Sequence, residues 1–362
     1  MLDRYLPVIQ APMAGGPSTP QLVAAVSGAG GLGFLAGGYL SPAALLTAIA
    51  ETQELTNEPF GVNLFVPGAP ATSAEAAAQR AAVDSYRRCL APHAAALDAD
   101  LPDAEELPWD DEDHYVAKIE ALSRLEAPPA VVSLTFGLPQ PAQLALLHER
   151  GIATVVTVTN EAEARAAVDL GVSGLCVQGP EAGGHRGTHD VKTAPDSRNL
   201  STLLAAITAE LGQERGRIHL TASGGVDSPQ RVQELLKAGA DSVQAGTAYL
   251  RAPEAGTHPT HRAALATGSA ETVVTRAFTG RAARAVSNLL ARELAASAPP
   301  VYPAVHHLTR PLRAAAAARG DAQRLHLWAG VNYRAALPAP AAAMTAWLGG
   351  DVTEIAPFIT GE

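Results

Sequence analysis

The stretch RIHLTASGGVDSPQRVQELLKAGADSVQAGT, from Arg217 to Thr247, decides the fold. It holds two short apolar runs, Arg217–Ala222 and Asp241–Gly246, and each runs out into small residues: Ser223-Gly224-Gly225 after the first, Ala245-Gly246-Thr247 at the second. Between them Ser228 offers a helix cap, Pro229 suits a first helical turn, and Val232, Leu235 and Leu236 recur at helical spacing as far as Ala238. Strand, helix and strand in roughly 30 residues make a parallel βαβ unit. Its two strands run the same way, so both glycine-bearing ends reach the same rim.

The rhythm repeats outward from this unit. Strands are predicted at Pro7–Ala11, Gly31–Leu35, Phe60–Phe65, Ala130–Thr135, Ala153–Val158 and Gly174–Val177, which with the two above makes eight. Helices are predicted over Thr19–Ser27, Pro42–Thr52, Gln140–Arg150, Glu161–Leu170, Asn199–Glu210 and Pro229–Ala238, with Thr19, Ser41, Asn160 and Ser228 as capping residues. Eight is the number of parallel strands that closes a barrel. The expected fold is therefore α/β, a (β/α)8 TIM barrel with a helical insertion after strand 3 and a helical C-terminal extension. The barrel is placed at residues 1–252, the insertion at about 67–129, and the extension at 253–362, packed over the barrel to close one side of the pocket. The acidic, Pro-containing part of the insertion, Leu97 to Asp113, reads as a solvated face.

Composition agrees with that architecture. Hydrophobic residues make up 47% of the 362 but aromatics only 4%, so Ala, Val, Leu and Ile must fill the core, as suits parallel strands covered by helices. A net charge of −10 with no concentrated basic surface argues against nucleic acid as a partner. No segment holds the ~18 uninterrupted apolar residues of a membrane span, and the start, Met1-Leu-Asp-Arg-Tyr-Leu-Pro7, lacks the head and apolar stretch of a secretion signal. Cys89 and Cys176 form no CxxC pattern, which fits a reducing compartment. A cytoplasmic protein, monomer or homodimer, is expected.

Chemistry is expected on the rim where the strands end. Gly224 and Gly225 after strand seven, and Gly246 and Thr247 after strand eight, offer backbone N–H groups to a phosphate; the same residues also fit a tight turn and a helix cap. The loop after strand six, Gln178-Gly-Pro-Glu-Ala-Gly183-Gly184-His185-Arg-Gly187, surrounds one histidine with four glycines. Such a backbone can hug a planar ligand and hold the imidazole over it, where it either accepts a proton or, when protonated, holds an anion. Met13, at the end of strand one, can lie against that ligand or simply pack. Asn63, in the third strand, and Gln178 bring carboxamides that need partners, from a polar ring or from neighbouring loops.

Two tempting motifs are read otherwise. Gly28-Ala-Gly-Gly-Leu-Gly33 satisfies GxGxxG but ends a helix and leads into a strand, the reverse of a dinucleotide fingerprint. His185, His189 and Asp190 cluster, as do His258 and His261, yet neither group has the helical spacing of a metal site, so no metal is expected. His306-His307 fits either a pair that lines the pocket from the tail or, the preferred reading, a surface pair.

Taken in order, Gln10-Ala-Pro-Met13, Gly61-Val-Asn63, Gln178 with Glu181-Ala-Gly-Gly-His185-x-Gly187, Ala222-Ser-Gly-Gly225 and Gln244-Ala-Gly-Thr247 closely resemble the nitronate monooxygenase family, formerly 2-nitropropane dioxygenase. The likeness reaches the tail through Pro311-Leu-Arg313 and Leu327-Trp-Ala-Gly330. It implies FMN as cofactor, held by Asn63, Gln178, Gly183, Gly225, Gln244, Ala245, Gly246 and Thr247, with His185 as the active-site histidine and with nitronate and O2 as small-molecule partners. The chain departs from the bacterial Trp-Ala-Gly-Gln pattern at Val331-Asn332. Flavin-dependent NADH enoyl-thioester reductases are similar in the same loop and phosphate site. A flavin-free barrel that binds a phosphorylated metabolite also fits the residues.

Overall fold

The computed structural model describes residues 6–360. Eleven strands run in chain order: β1 (Val8–Gln10), β2 (Phe34–Ala36), β3 (Gly61–Phe65), β4 (Val131–Thr135), β5 (Ala153–Val158), β6 (Gly174–Gln178), β7 (Gly184–His185), β8 (His219–Ser223), β9 (Ser242–Ala245), β10 (Thr272–Thr275) and β11 (Ala283–Val286). Eight of them form one parallel sheet in the order β1-β9-β8-β6-β5-β4-β3-β2. A parallel bridge between Ile9 and Leu32 joins the outer edges, which makes the sheet a barrel ringed by helices. Inside it Ile9, Leu32, Phe34, Val131, Val155 and Cys176 form a small core of their own, while the outward strand residues pack under the helices.

The second strand begins three residues later than predicted. Leu32 still pairs with β1, but the Gly33 amide donates to Ser27 Oγ and the Phe34 amide to the Gln10 side chain, 3.0 Å away. The GxGxxG stretch is accordingly a helix end that turns into β2. The caps predicted at Thr19, Ser41, Asn160 and Ser228 all accept from the amide three residues on.

The tail adds two strands to its helices. After the barrel, β10 and β11 form an antiparallel hairpin, and β11 continues the pairing onto β7, the short strand that carries His185. The four β-branched residues of β10, Thr272-Val-Val-Thr275, and a turn around Gly280 are sequence cues to the hairpin, but strands of four residues show too little alternation to stand out. A second core joins the insertion helix Ser73–Ala95 to this hairpin and to the helix Ala304–Ala318, through Tyr86, Leu90, Phe278, Leu308 and Leu312 among others. The extension's helix Ala341–Leu348 packs with the first core against Pro20–Gly28.

The acidic end of the insertion is more than a solvated face. Asp113 pairs with the fully buried Lys118 at 2.8 Å and accepts from the Tyr39 amide at 2.8 Å, while Lys118 also donates to Gly37 O. Together they pin the turn after β2, and Tyr39, with φ +67°, swings its ring onto His306. A buried ammonium needs that compensation, which fixes both residues in place.

Candidate active site

The eight barrel strands end on one rim, and a cavity of about 1040 Å³ opens there, at the upper end of the sizes typical of pockets that hold a cofactor and a small substrate. It collects every site residue read from the sequence. Met13 and Asn63 lie on one part of its wall, Gln178, Gly183, Gly184 and His185 on another, and Gly224, Gly225, Gln244, Ala245, Gly246 and Thr247 on a third.

The phosphate corner follows from strand pairing. Ser223 of β8 lies opposite Gln244 of β9, so the two turns that follow emerge side by side. Gly224 and Gly225 have φ of +126° and +65°, and a methyl group on Gly224 would come within 2.9 Å of the Ala182 nitrogen. The N–H groups of Gly224, Gly225 and Gly246 donate to no acceptor among the described residues. Orphaned donors in a cradle that side chains would obstruct suit an anion such as the FMN phosphate. Thr247 is partly committed elsewhere, its hydroxyl accepting from the Gly330 amide at 3.0 Å and so tying the tail to this corner.

The two carboxamides are engaged by neighbouring segments. Asn63 Nδ2 is within 2.9–3.1 Å of Ser133 Oγ, Thr135 Oγ1 and Ser133 O. Gln178 grips the histidine loop at both ends, donating to His185 O at 2.9 Å and accepting from Gly187 N at 2.8 Å. The buried Arg186 holds the base of that loop through Gly179 O and Gln178 O. His185 is thereby placed by four strands at once, β6 and β7 on its own segment and β8 and β11 through their pairing.

The His185 ring stands edge-on to Phe136, with centroids 5.7 Å apart, and 5.4 Å from the Trp328 ring centroid. Its Nε2 lies 2.8 Å from Thr279 Oγ1. Burial, reinforced by the Arg281 and Arg313 guanidiniums, pushes its pKa down to about 3. Both arginines are themselves buried, and among the described residues neither meets a carboxylate. Arg281 donates to Thr188 O and lies 4.0 Å over the Phe136 ring; Arg313 donates to Thr309 Oγ1 and His306 O and borders the cavity. The site therefore presents a neutral imidazole with the Arg313 guanidinium on the cavity wall and that of Arg281 behind the Phe136 ring.

Sequence reasoning missed several of these residues. Arg281, Thr279 and Tyr39 sit in segments without a motif, and Arg313 was noticed only as part of a tail pattern. His306 is no surface residue: it is 8% exposed, stacked on Tyr39 at 4.3 Å, and borders the cavity. His307 beside it pairs with Asp111 at 2.7 Å, joining the tail helix to the insertion. His189 is taken up by Thr157 O and Glu163 rather than turned to the cavity. Among the described residues no group of three or more His, Cys, Asp or Glu is arranged to hold a metal.

Comparison with known proteins relates the whole chain to one family. A family model described as nitronate monooxygenase matches residues 2–348. A probable nitronate monooxygenase of Staphylococcus saprophyticus is 34% identical over 337 residues, covering 92% of this chain and 91% of its own, and one of Staphylococcus aureus is 33% identical with similar coverage. The crystal structure of a nitroalkane oxidase from Streptomyces ansochromogenes superposes with a TM-score of 0.86 at 41% identity over 99% of both chains. FabK from Thermotoga maritima, with a TM-score of 0.70 at 21% identity, shares the fold.

Proposed function

This chain belongs to the nitronate monooxygenase family, and from that premise we propose that it is an FMN-dependent oxidase of nitroalkanes and their nitronates that uses O2. That it is an oxidoreductase follows from the family and from the nitroalkane oxidase neighbour. The observation that carries the finer reading is an imidazole held neutral near two buried guanidiniums that meet no carboxylate among the described residues. FMN, bound with its phosphate at Gly224, Gly225, Gly246 and Thr247, would take electrons from the substrate and deliver them to oxygen.

The chain's own groups then divide the remaining work. Neutral His185 can accept the proton on the carbon bearing the nitro group, a task a protonated imidazole could not perform. The nitronate left behind carries a negative charge, which Arg313, and Arg281 at longer range, offset in a site of low dielectric. A preformed nitronate needs only the second of these. Burial keeps His185 in the form that can accept a proton at the cost of its basicity, a cost that the negative charge forming on the adjacent substrate would offset.

Aerobic assays with nitroethane and with propionate 3-nitronate, following O2 uptake and nitrite, test this reading. Anaerobic mixing separates it from enoyl-thioester reduction: bleaching of the bound flavin by a nitro compound is expected, whereas rapid bleaching by NADH alone would overturn the proposal. A colourless protein that FMN does not reconstitute would remove the cofactor assignment.

A further inference from the structure

We propose that Thr279 is a positioning residue that fixes the tautomer of His185, holding the ring proton on Nε2 and leaving Nδ1 as the atom that accepts the substrate's proton. The inference rests on the functional reading above. A hydroxyl has one proton to give, and the Thr279 oxygen lies between two groups: His185 Nε2 at 2.8 Å and the carbonyl of Arg281 at 3.3 Å. The carbonyl can only accept. The Thr279 proton therefore points to Arg281 O, and its lone pair receives the Nε2 proton of the imidazole. His185 Nδ1 has no protein partner among the described residues, and the ring borders the cavity. A neutral imidazole has one basic nitrogen, and this arrangement turns it toward the substrate.

The hydroxyl is held where it is from several sides. Thr279 is 2% exposed in the loop between β10 and β11. Its neighbours are tied down: Phe278 O accepts from Thr309 Oγ1, Ala277 O accepts from the Tyr86 hydroxyl at 2.6 Å, and Arg281 donates to Thr188 O at 2.7 Å. Gly280, with φ +80°, lies so close to the segment before the Ala304 helix that a methyl group would come within 2.5 Å of Val301 O. Tyr86 belongs to the insertion and Thr309 to the extension, so both additions to the barrel converge on this loop. They act as a brace that a bare barrel lacks, and the antiparallel pairing of Ala283 with His185 carries the brace to the catalytic strand.

The test compares Thr279→Val with Thr279→Ser on two substrates. Nitroethane needs the proton removed, so kcat/KM is expected to fall in Thr279→Val by on the order of 10- to 100-fold, part of the 10²–10⁴ that a general base supplies. Preformed ethyl nitronate skips that step and should change by less than about 3-fold. Thr279→Ser, which keeps the hydroxyl, should restore the nitroethane rate. An independent readout is ¹⁵N NMR of histidine-labelled protein, with His185 assigned by difference from His185→Asn: a protonated Nε2 and a pyridine-like Nδ1 are expected in the wild type, and a mixed signal in Thr279→Val. A wild-type spectrum with the proton on Nδ1 would overturn the proposal, as would a Thr279→Val protein with an unchanged tautomer and an unchanged ratio of the two substrates' rates. Should the wild type turn over neither substrate, the functional reading falls while the spectrum still decides the tautomer.

Discussion

The pH dependence of nitroalkane oxidation is where the site's electrostatics can be measured most directly. An imidazole of ordinary pKa 6.5 would be neutral in only about 9% of molecules at about pH 5.5, and a rate that needs it as base would have dropped roughly tenfold from its plateau. His185, pushed down to about 3 by burial and by Arg281 and Arg313, stays more than about 99% neutral at that pH. A depressed pKa preserves the basic form toward acid, so activity is retained there rather than lost. The expected profile of kcat/KM for nitroethane is flat from about pH 5.5 to 8. Initial rates of O2 uptake at constant ionic strength measure it, and α-deuterated nitroethane establishes that carbon–proton cleavage contributes to the rate. An acid limb with an apparent pKa near 6.5 would refute the proposed environment. A rate that rises as pH falls through that value would show that the protonated ring is the working form.

Three further outcomes follow from the same geometry. Arg313→Gln removes positive charge from the cavity wall and should raise the KM for nitronate by about 10-fold or more, as expected for a charge-assisted contact of ~1.5–3 kcal/mol, while a neutral nitroalkane is affected less in binding; equal KM values in saturation kinetics would place the substrate elsewhere. Gly225→Val puts a β-branched side chain at φ +65°, against the Glu181 side chain and over the amides of the phosphate corner, so flavin per protein, read from absorbance after gel filtration, should fall well below that of the wild type; an unchanged ratio contradicts the assignment of that corner. Acid should also destabilise the fold. His261 and His306 are both buried with pKa values depressed by burial, His261 to about 4, so unfolding takes up protons below about pH 6.5 and each residue costs on the order of 2 kcal/mol of stability between pH 6.5 and 5. Urea midpoints at the two pH values check this, and equal midpoints would mean that these imidazoles are already protonated in the folded state.

Much of this was legible in the chain itself. The period of apolar runs and capped helices determined the barrel, because a strand that ends on Gly224-Gly225 and a helix that opens at Ser228 are local facts about backbone freedom and capping. The same local logic put the glycines, the carboxamides and His185 on one rim, since parallel strands can end only on one side of a closed sheet. What the sequence could not supply was any interaction that depends on distant segments folding together. Thr279 reaches His185 across 94 positions, and Lys118 reaches Gly37 across 81. The hairpin β10–β11 is too short to announce itself by alternation, and its pairing with β7 is created by where the loop after β6 is held. Even the protonation of His185 is a tertiary property: the residue type sets a pKa near neutrality, and only burial beside two arginines from the extension moves it. Sequence thus determined which groups stand at the mouth of the barrel, and tertiary packing decided which atom of the histidine is free and what charge surrounds it, because desolvation and long-range hydrogen bonds exist only once the chain has closed.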